Sequence, residues 1–173
     1  MNQVNELPQV IIVLIGVAGA GKTTVGRMLA QDLGWPFYEG DEFHPQPNVE
    51  KMQAGIPLTD EDRKLWLERL SELIAELTRT GQSAVLTCSA LKAQYRRRLR
   101  DASVIEGAVR LVYLRVSPEE AGLRIQRRVG HFMPASLIAS QFAALEEPTS
   151  ALTVDGTVSP REASDQVRRK FGV

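Results

Sequence analysis

The 173-residue chain carries a single cysteine, Cys88, so neither an internal disulfide framework nor a four-thiolate zinc site is open to it. It has no charge of one sign to spare. The 21 Lys plus Arg balance 21 Asp plus Glu, which leaves no global field to draw the molecule onto nucleic acid or an anionic membrane. Its longest apolar run, Val10 to Ile15, is far short of the roughly 20 residues a membrane span requires. The N-terminus has no basic start, carries Glu6 and leads into glycines, not a cleavage site, so it does not read as a signal peptide. Together these absences predict a soluble cytoplasmic protein of one domain, with no nucleic-acid or membrane partner. Any anion-binding site in it must be local.

What the sequence has is alternation. Short β-branched runs at Val10–Ile15, Phe37–Glu39, Ala84–Cys88, Val109–Val116 and Ala151–Val154 are separated by stretches of helical period. That order predicts a three-layer α/β domain with a five-stranded parallel sheet. The first run lacks polar alternation, as a central strand covered on both faces should. Helices are expected over Thr24–Leu33, Asp60–Arg79, Lys92–Arg100, Ser117–Val129 and Ala135–Leu145, with a terminal one opened by Ser159-Pro160. Pro45 and Pro47 mark the segment after Asp41 as loop.

Gly16-Val-Ala-Gly-Ala-Gly-Lys22-Thr23 fits the phosphate-loop pattern G-x-x-x-x-G-K-[ST] and lies between a buried strand and a helix, the context the motif requires. The backbone N–H groups from Gly16 through Val17, Ala18, Gly19, Ala20 and Gly21, continuing to Thr24, would cradle phosphate oxygens at the positive end of a helix. Lys22 adds a point charge for the outer phosphates, and the Thr23 hydroxyl is placed to ligate Mg²⁺. A nucleotide site of this kind serves switches, motors and metabolic kinases alike. The N-K-x-D and D-x-x-G elements of a guanine switch are absent, and the strand before Ser89 ends in Thr87-Cys88, not in an acid as in motors. The small phosphotransferases remain.

Such an enzyme needs an acceptor site and closing arginines. Asp41 directly follows the second strand, whose C-terminal end should open onto the crevice where parallel sheets bind ligands, and is the candidate base and a candidate metal contact. Arg124, Arg127 and Arg128 end a helix just before Gly130-His131. Arg124 and Arg128 share a face and would neutralise charge on a transferring phosphoryl group. Lys92, Arg96, Arg97, Arg98 and Arg100 crowd one short helix, but Tyr95 alone interleaves them, which argues against nucleic acid. At i, i+4 spacing Lys92 and Arg96 suit a carboxylate or phosphate on the acceptor.

The series Gly16-Val-Ala-Gly-Ala-Gly-Lys-Thr-Thr, Gly40-Asp-Glu-Phe-His44-Pro, Asn48-Val-Glu-Lys51-Met, Gly55-Ile-Pro-Leu-Thr-Asp-Glu-Asp-Arg63, Cys88-Ser-Ala-Leu-Lys92, Tyr95-Arg96, Gly130-His131-Phe132, Ser140-Gln141-Phe142 and Leu145-Glu-Glu-Pro148 resembles the thermoresistant-type gluconokinases of the P-loop kinase group. The resemblance covers almost the whole chain. It implies one P-loop kinase domain, with a core at about 8–116 and 151–173 and a mobile helical lid at about 117–147. It implies transfer of the ATP γ-phosphate to the 6-hydroxyl of D-gluconate, with Mg²⁺, in carbohydrate catabolism, and often a homodimer. Asp41 would face the acceptor hydroxyl, while His44, Lys51, Arg63, Lys92, Arg96 and His131 match positions that contact the polyol or its carboxylate. Leu65, Arg97 and a shortened stretch at 148–154 depart from the family pattern, the last where related kinases often hold adenine. A shikimate- or nucleotide-type kinase, or an ATP-binding regulator without turnover, is the alternative on the same fold.

Overall fold

A computed structural model describes residues 9–127 and 135–173. The five expected strands form β1 (Ile11–Ile15), β2 (Phe37–Glu39), β3 (Ala84–Cys88), β4 (Val109–Arg115) and β5 (Leu152–Asp155). All pair in parallel in the order β2-β3-β1-β4-β5. The chain builds β2 and β3 on one side of β1 and β4 and β5 on the other. The crevice where a parallel sheet accepts ligands therefore opens above the C-terminal end of β1.

The unbroken apolar run of β1 follows from its place. Ile12 and Leu14 pack into one core with Val25 and Leu29 of helix α1 (Lys22–Leu33) and Ala163 and Val167 of helix α7 (Pro160–Phe171). Ile11, Val13 and Ile15 point the other way. They join Trp66, Leu70 and Ile74 of helix α3 (Arg63–Arg79) and Leu99 of helix α4 (Ala93–Asp101). With helices on both faces, no position of β1 reaches water.

The ends of the elements carry the capping chemistry read from the sequence. Gly34 closes α1 at φ +66, the left-handed angle a helix stop prefers. The Ser117 and Ser159 hydroxyls accept from the Glu120 and Glu162 amides, opening α5 (Pro118–Gln126) and α7. Helix α3 begins three residues later than expected, because Thr59 and Asp62 close a reciprocal turn before it: Thr59 N donates to Asp62 Oδ2 at 2.9 Å and Asp62 N to Thr59 Oγ1 at 3.2 Å. The segment expected as loop after Pro45 is instead helix α2 (Gln46–Gln53). Pro45 caps it and Pro47 sits in its first turn, where a missing N–H loses no helical bond.

Glu39 ends β2, and a 3₁₀ turn over Gly40–Phe43 follows at once. Gly40 lies so tight against β3 that a Cβ there would stand 2.0 Å from the Thr87 carbonyl oxygen. The Gly40 amide donates to Thr87 Oγ1 at 3.3 Å, and its carbonyl accepts from the buried Trp66 indole at 2.8 Å. We expect Gly40→Ala to lower stability in urea unfolding by about 1–3 kcal/mol, the usual range for overpacking. Gly122→Ala, in α5 where an added Cβ meets nothing within 4 Å, should raise it by about 0.5–1 kcal/mol.

Candidate active site

The turn after β1 carries the phosphate loop. Gly19 adopts φ +81 and a Cβ on it would lie 2.7 Å from the Ala121 carbonyl, so only glycine lets the loop pass beneath α5. Gly21, at φ +95, caps α1, and its carbonyl takes the Val25 amide at 3.0 Å. The N–H groups at the start of α1 therefore face the crevice at the positive end of a 12-residue helix. Lys22 Nζ folds back onto the Val17 carbonyl at 2.9 Å, across the mouth of the loop.

Thr23 Oγ1 donates to Glu39 Oε2 at 2.6 Å, and Thr87 Oγ1 donates to the other oxygen of the same carboxylate. Glu39 is a residue that sequence reasoning missed. The acid expected at a strand end was sought on β3, whereas it stands one strand over, at the end of β2 and in register with Thr87. Lys22, Glu39 and Asp41 all act electrostatically on the Cys88 thiol, so the three charges share one small region. Burial pushes that thiol up to about 12, which makes Cys88 an inert core residue.

A cavity of about 100 Å³ lies beside the phosphate loop, and among its walls are Ala18, Lys22, Asp41, His44, Arg63 and Gln141. Asp41 comes from the 3₁₀ turn that Gly40 anchors. His44 stacks on Trp66, ring centroids 4.5 Å apart and planes within 9° of parallel. Asn48 Nδ2 donates to the Asp62 carbonyl at 2.8 Å, which fixes its amide orientation. The same nitrogen lies 3.2 Å from His44 Nδ1, which must then accept. The ring proton is left on Nε2. Arg63 donates through Nη1 to the Leu58 carbonyl and lies 5.8 Å over the Tyr95 ring.

The other expected acceptor contacts are held elsewhere. Lys51 pairs with Asp62 at 2.7 Å, a hydrogen bond that is the first cause of an Asp62 carboxyl held down to about 2. Lys92 caps α4 and reaches Asp60 at 2.7 Å; Asp60 also accepts from the Tyr95 hydroxyl. Arg96 turns inward and is buried. Its Nη1 donates to the carbonyls of Ala90 at 3.1 Å and Leu91 at 2.8 Å. Ala90 is the only non-glycine with positive φ, +34°, among the described residues, and Arg96 holds that strained turn in place. Lys92 and Arg96 thus do not share a ligand-facing surface.

A second cavity, about 340 Å³, opens on the opposite side of the phosphate loop between Gly19, Gly21, Thr24, Arg124, Asp155 and Pro160. Arg124 braces it. Its Nη2 donates to the Gly156 carbonyl at 2.7 Å, its Nη1 to the Gly19 carbonyl at 3.4 Å, and its Nε to Glu120 at 2.6 Å. Part of the wall is supplied by residues 155–163, which follow the 148–154 stretch expected to be short. Arg128 and His131 lie outside the described residues.

A family model described as an AAA domain matches residues 11–148. A gluconokinase of Gluconobacter oxydans (strain 621H) is 46% identical over 163 residues, covering 92% of this chain and 90% of its own. The thermosensitive gluconokinase of Escherichia coli (strain K12) is 46% identical over 136 residues, 79% of this chain and 71% of that one. The chain belongs to the gluconokinase family. The crystal structure of a gluconokinase from Sinorhizobium meliloti 1021 matches it with a TM-score of 0.84 at 38% identity, over 96% of this chain and 93% of that chain. The P-loop kinase fold and ATP use read from the sequence stand. Among the described residues, no helix is long and apolar enough to cross a membrane.

In this gluconokinase fold His44 is neutral. Burial, and then the Arg63 charge, lower it from 6.5 to about 4. The unfolded chain binds that proton below 6.5 while the folded one does not, so stability is full above pH 6.5 and falls as pH drops from 6.5 toward 4. An NMR titration of the ring should show Nδ1 staying unprotonated down to about pH 4. An inflection near 6.5 would remove His44 from its half-buried position beside Arg63.

Proposed function

We propose that the chain transfers the γ-phosphoryl group of ATP to the 6-hydroxyl of D-gluconate, with the cavity beside the phosphate loop as the acceptor site and the one braced by Arg124 as the nucleoside site. The observation that carries this reading is that one cavity is walled by both Lys22 and Asp41, with His44 and Arg63 beside them. A phosphate-binding cation and a carboxylate able to orient a hydroxyl thus meet where the sheet opens. Phosphoryl transfer asks for little more than such positioning and charge.

Each group has a part. Asp41 accepts the hydrogen bond of the attacking hydroxyl and lines it up. Arg63 takes the sugar-acid carboxylate, a charge-assisted contact worth about 1.5–3 kcal/mol. His44 donates from Nε2 to a polyol oxygen, because its Nδ1 is engaged by Asn48. Lys22 swings from the Val17 carbonyl to the outer phosphates, while Arg124 flanks the nucleotide. The segment at 117–147 serves as the lid that keeps water out. Thr23 Oγ1 and the Glu39 and Asp41 carboxylates offer oxygen donors alone, the set that suits Mg²⁺ held largely by phosphates and water. Mg²⁺, when bound there, supplies charge neutralisation on the phosphate oxygens.

The test is ADP release by purified protein with Mg-ATP and a panel of D-gluconate, other sugar acids, shikimate and nucleoside monophosphates. Turnover confined to gluconate is expected; turnover on shikimate or a nucleotide with none on gluconate would replace the acceptor, and tight ATP binding with no acceptor phosphorylated would make the protein a regulator. Lys22→Ala and Asp41→Asn should each lower kcat by about 10²-fold or more while leaving the unfolding midpoint close to wild type. Near-normal kcat in Asp41→Asn would take Asp41 out of the reaction.

A further inference from the structure

The phosphate loop already holds a ligand of its own. The Ala18 amide, one of the N–H groups of the cradle, donates to Gln141 Oε1 at 2.7 Å, across 123 residues of sequence. Gln141 lies on helix α6 (Ala135–Ala144), which the buried Leu137, one turn earlier, anchors against the protein. The side chain of Gln141 also walls the acceptor cavity. One amide group therefore touches both halves of the site: its oxygen holds a phosphate-loop donor, and its bulk narrows the acceptor pocket. At about 100 Å³ that pocket is below the roughly 300 Å³ at which small-molecule sites begin.

From this geometry we infer that Gln141 is a positioning residue that couples nucleotide to acceptor. A phosphate oxygen is a charged acceptor and competes for the Ala18 N–H against the neutral carboxamide of Gln141. Nucleotide binding then releases Gln141 from the loop. The freed amide vacates its place in the wall, enlarges the acceptor pocket and presents its NH₂ and carbonyl to a polyol. The two ligands help each other through a single hydrogen bond that only one of its two acceptors can hold, and the coupling is reciprocal. The second half of this inference rests on reading the cavity as the gluconate site; the first half does not.

Calorimetry separates the two. A non-hydrolysable ATP analogue is titrated into wild type, Gln141→Ala and Gln141→Asn, whose shorter side chain cannot reach Ala18, and gluconate is then titrated into each protein with and without the analogue. The analogue should bind both variants about 3- to 10-fold tighter than wild type, because no internal acceptor has to be displaced. In wild type the analogue should tighten gluconate binding several-fold, and in the variants that gain should shrink toward none. Equal or weaker analogue binding in both variants overturns the inference, since a side chain that merely docks α6 would weaken both ligands when removed. An undiminished gain for gluconate in the variants overturns the coupling. Tighter analogue binding with no gluconate binding to any form upholds the competition at Ala18 and removes gluconate as the acceptor.

Discussion

The contact between Gly40 and strand β3 is the constraint on which the site depends. With no side chain, the Gly40 backbone lies against the Thr87 carbonyl, is held by the Thr87 hydroxyl on one side and gives its own carbonyl to the Trp66 indole on the other. Three elements meet at this residue. Glu39 immediately before it is drawn to Thr23 and Thr87, and Asp41 immediately after it faces the cavity. Trp66, committed to Gly40 by its N–H, offers its face to His44. The orientation of three candidate functional side chains thus follows from one close backbone approach.

Much of this fold was legible because its signals are local. Five β-branched runs, the phosphate loop and the Ser-Pro helix starts each depend on residues adjacent in sequence. Helix α2 was not legible, because Pro45 and Pro47 punctuate loops and first helical turns equally well. In the site, Lys22, Thr23, Asp41, His44 and Arg63 come together near the loop as their motifs suggest. The partners of the other cations were hidden. Nothing local distinguishes an arginine that binds a ligand from one that, like Arg96, turns inward to hold two carbonyls, and Asp60 and Asp62 claim Lys92 and Lys51 from 32 and 11 residues away. Glu39 and Gln141 become visible only when neighbouring strands and a distant helix are placed in space.

Charge is distributed in the same economical way. Two of the cations expected at the site, Lys51 and Lys92, are instead neutralised by Asp62 and Asp60, acids of a single turn. The partly exposed pairs at Lys51–Asp62 and Lys92–Asp60 contribute little to stability. Their effect is geometric, since both acids belong to the turn that precedes α3 and together fasten α2 and α4 to it. That turn ends in Arg63, so the pairs set the entry of a site residue without touching the site.

The brace formed by Arg124 reaches from the phosphate loop to Gly156, and part of the wall it supports is made by residues 155–163. The cavity that holds Lys22 and Asp41 draws most of its remaining walls from other stretches, at 41–63 and 137–141. The two cavities are therefore built largely from separate segments that meet at the phosphate loop. Under the proposed assignment, a substitution in the C-terminal wall reshapes the nucleoside cavity without replacing any residue that lines the other one, so the two linings can vary separately within one small domain.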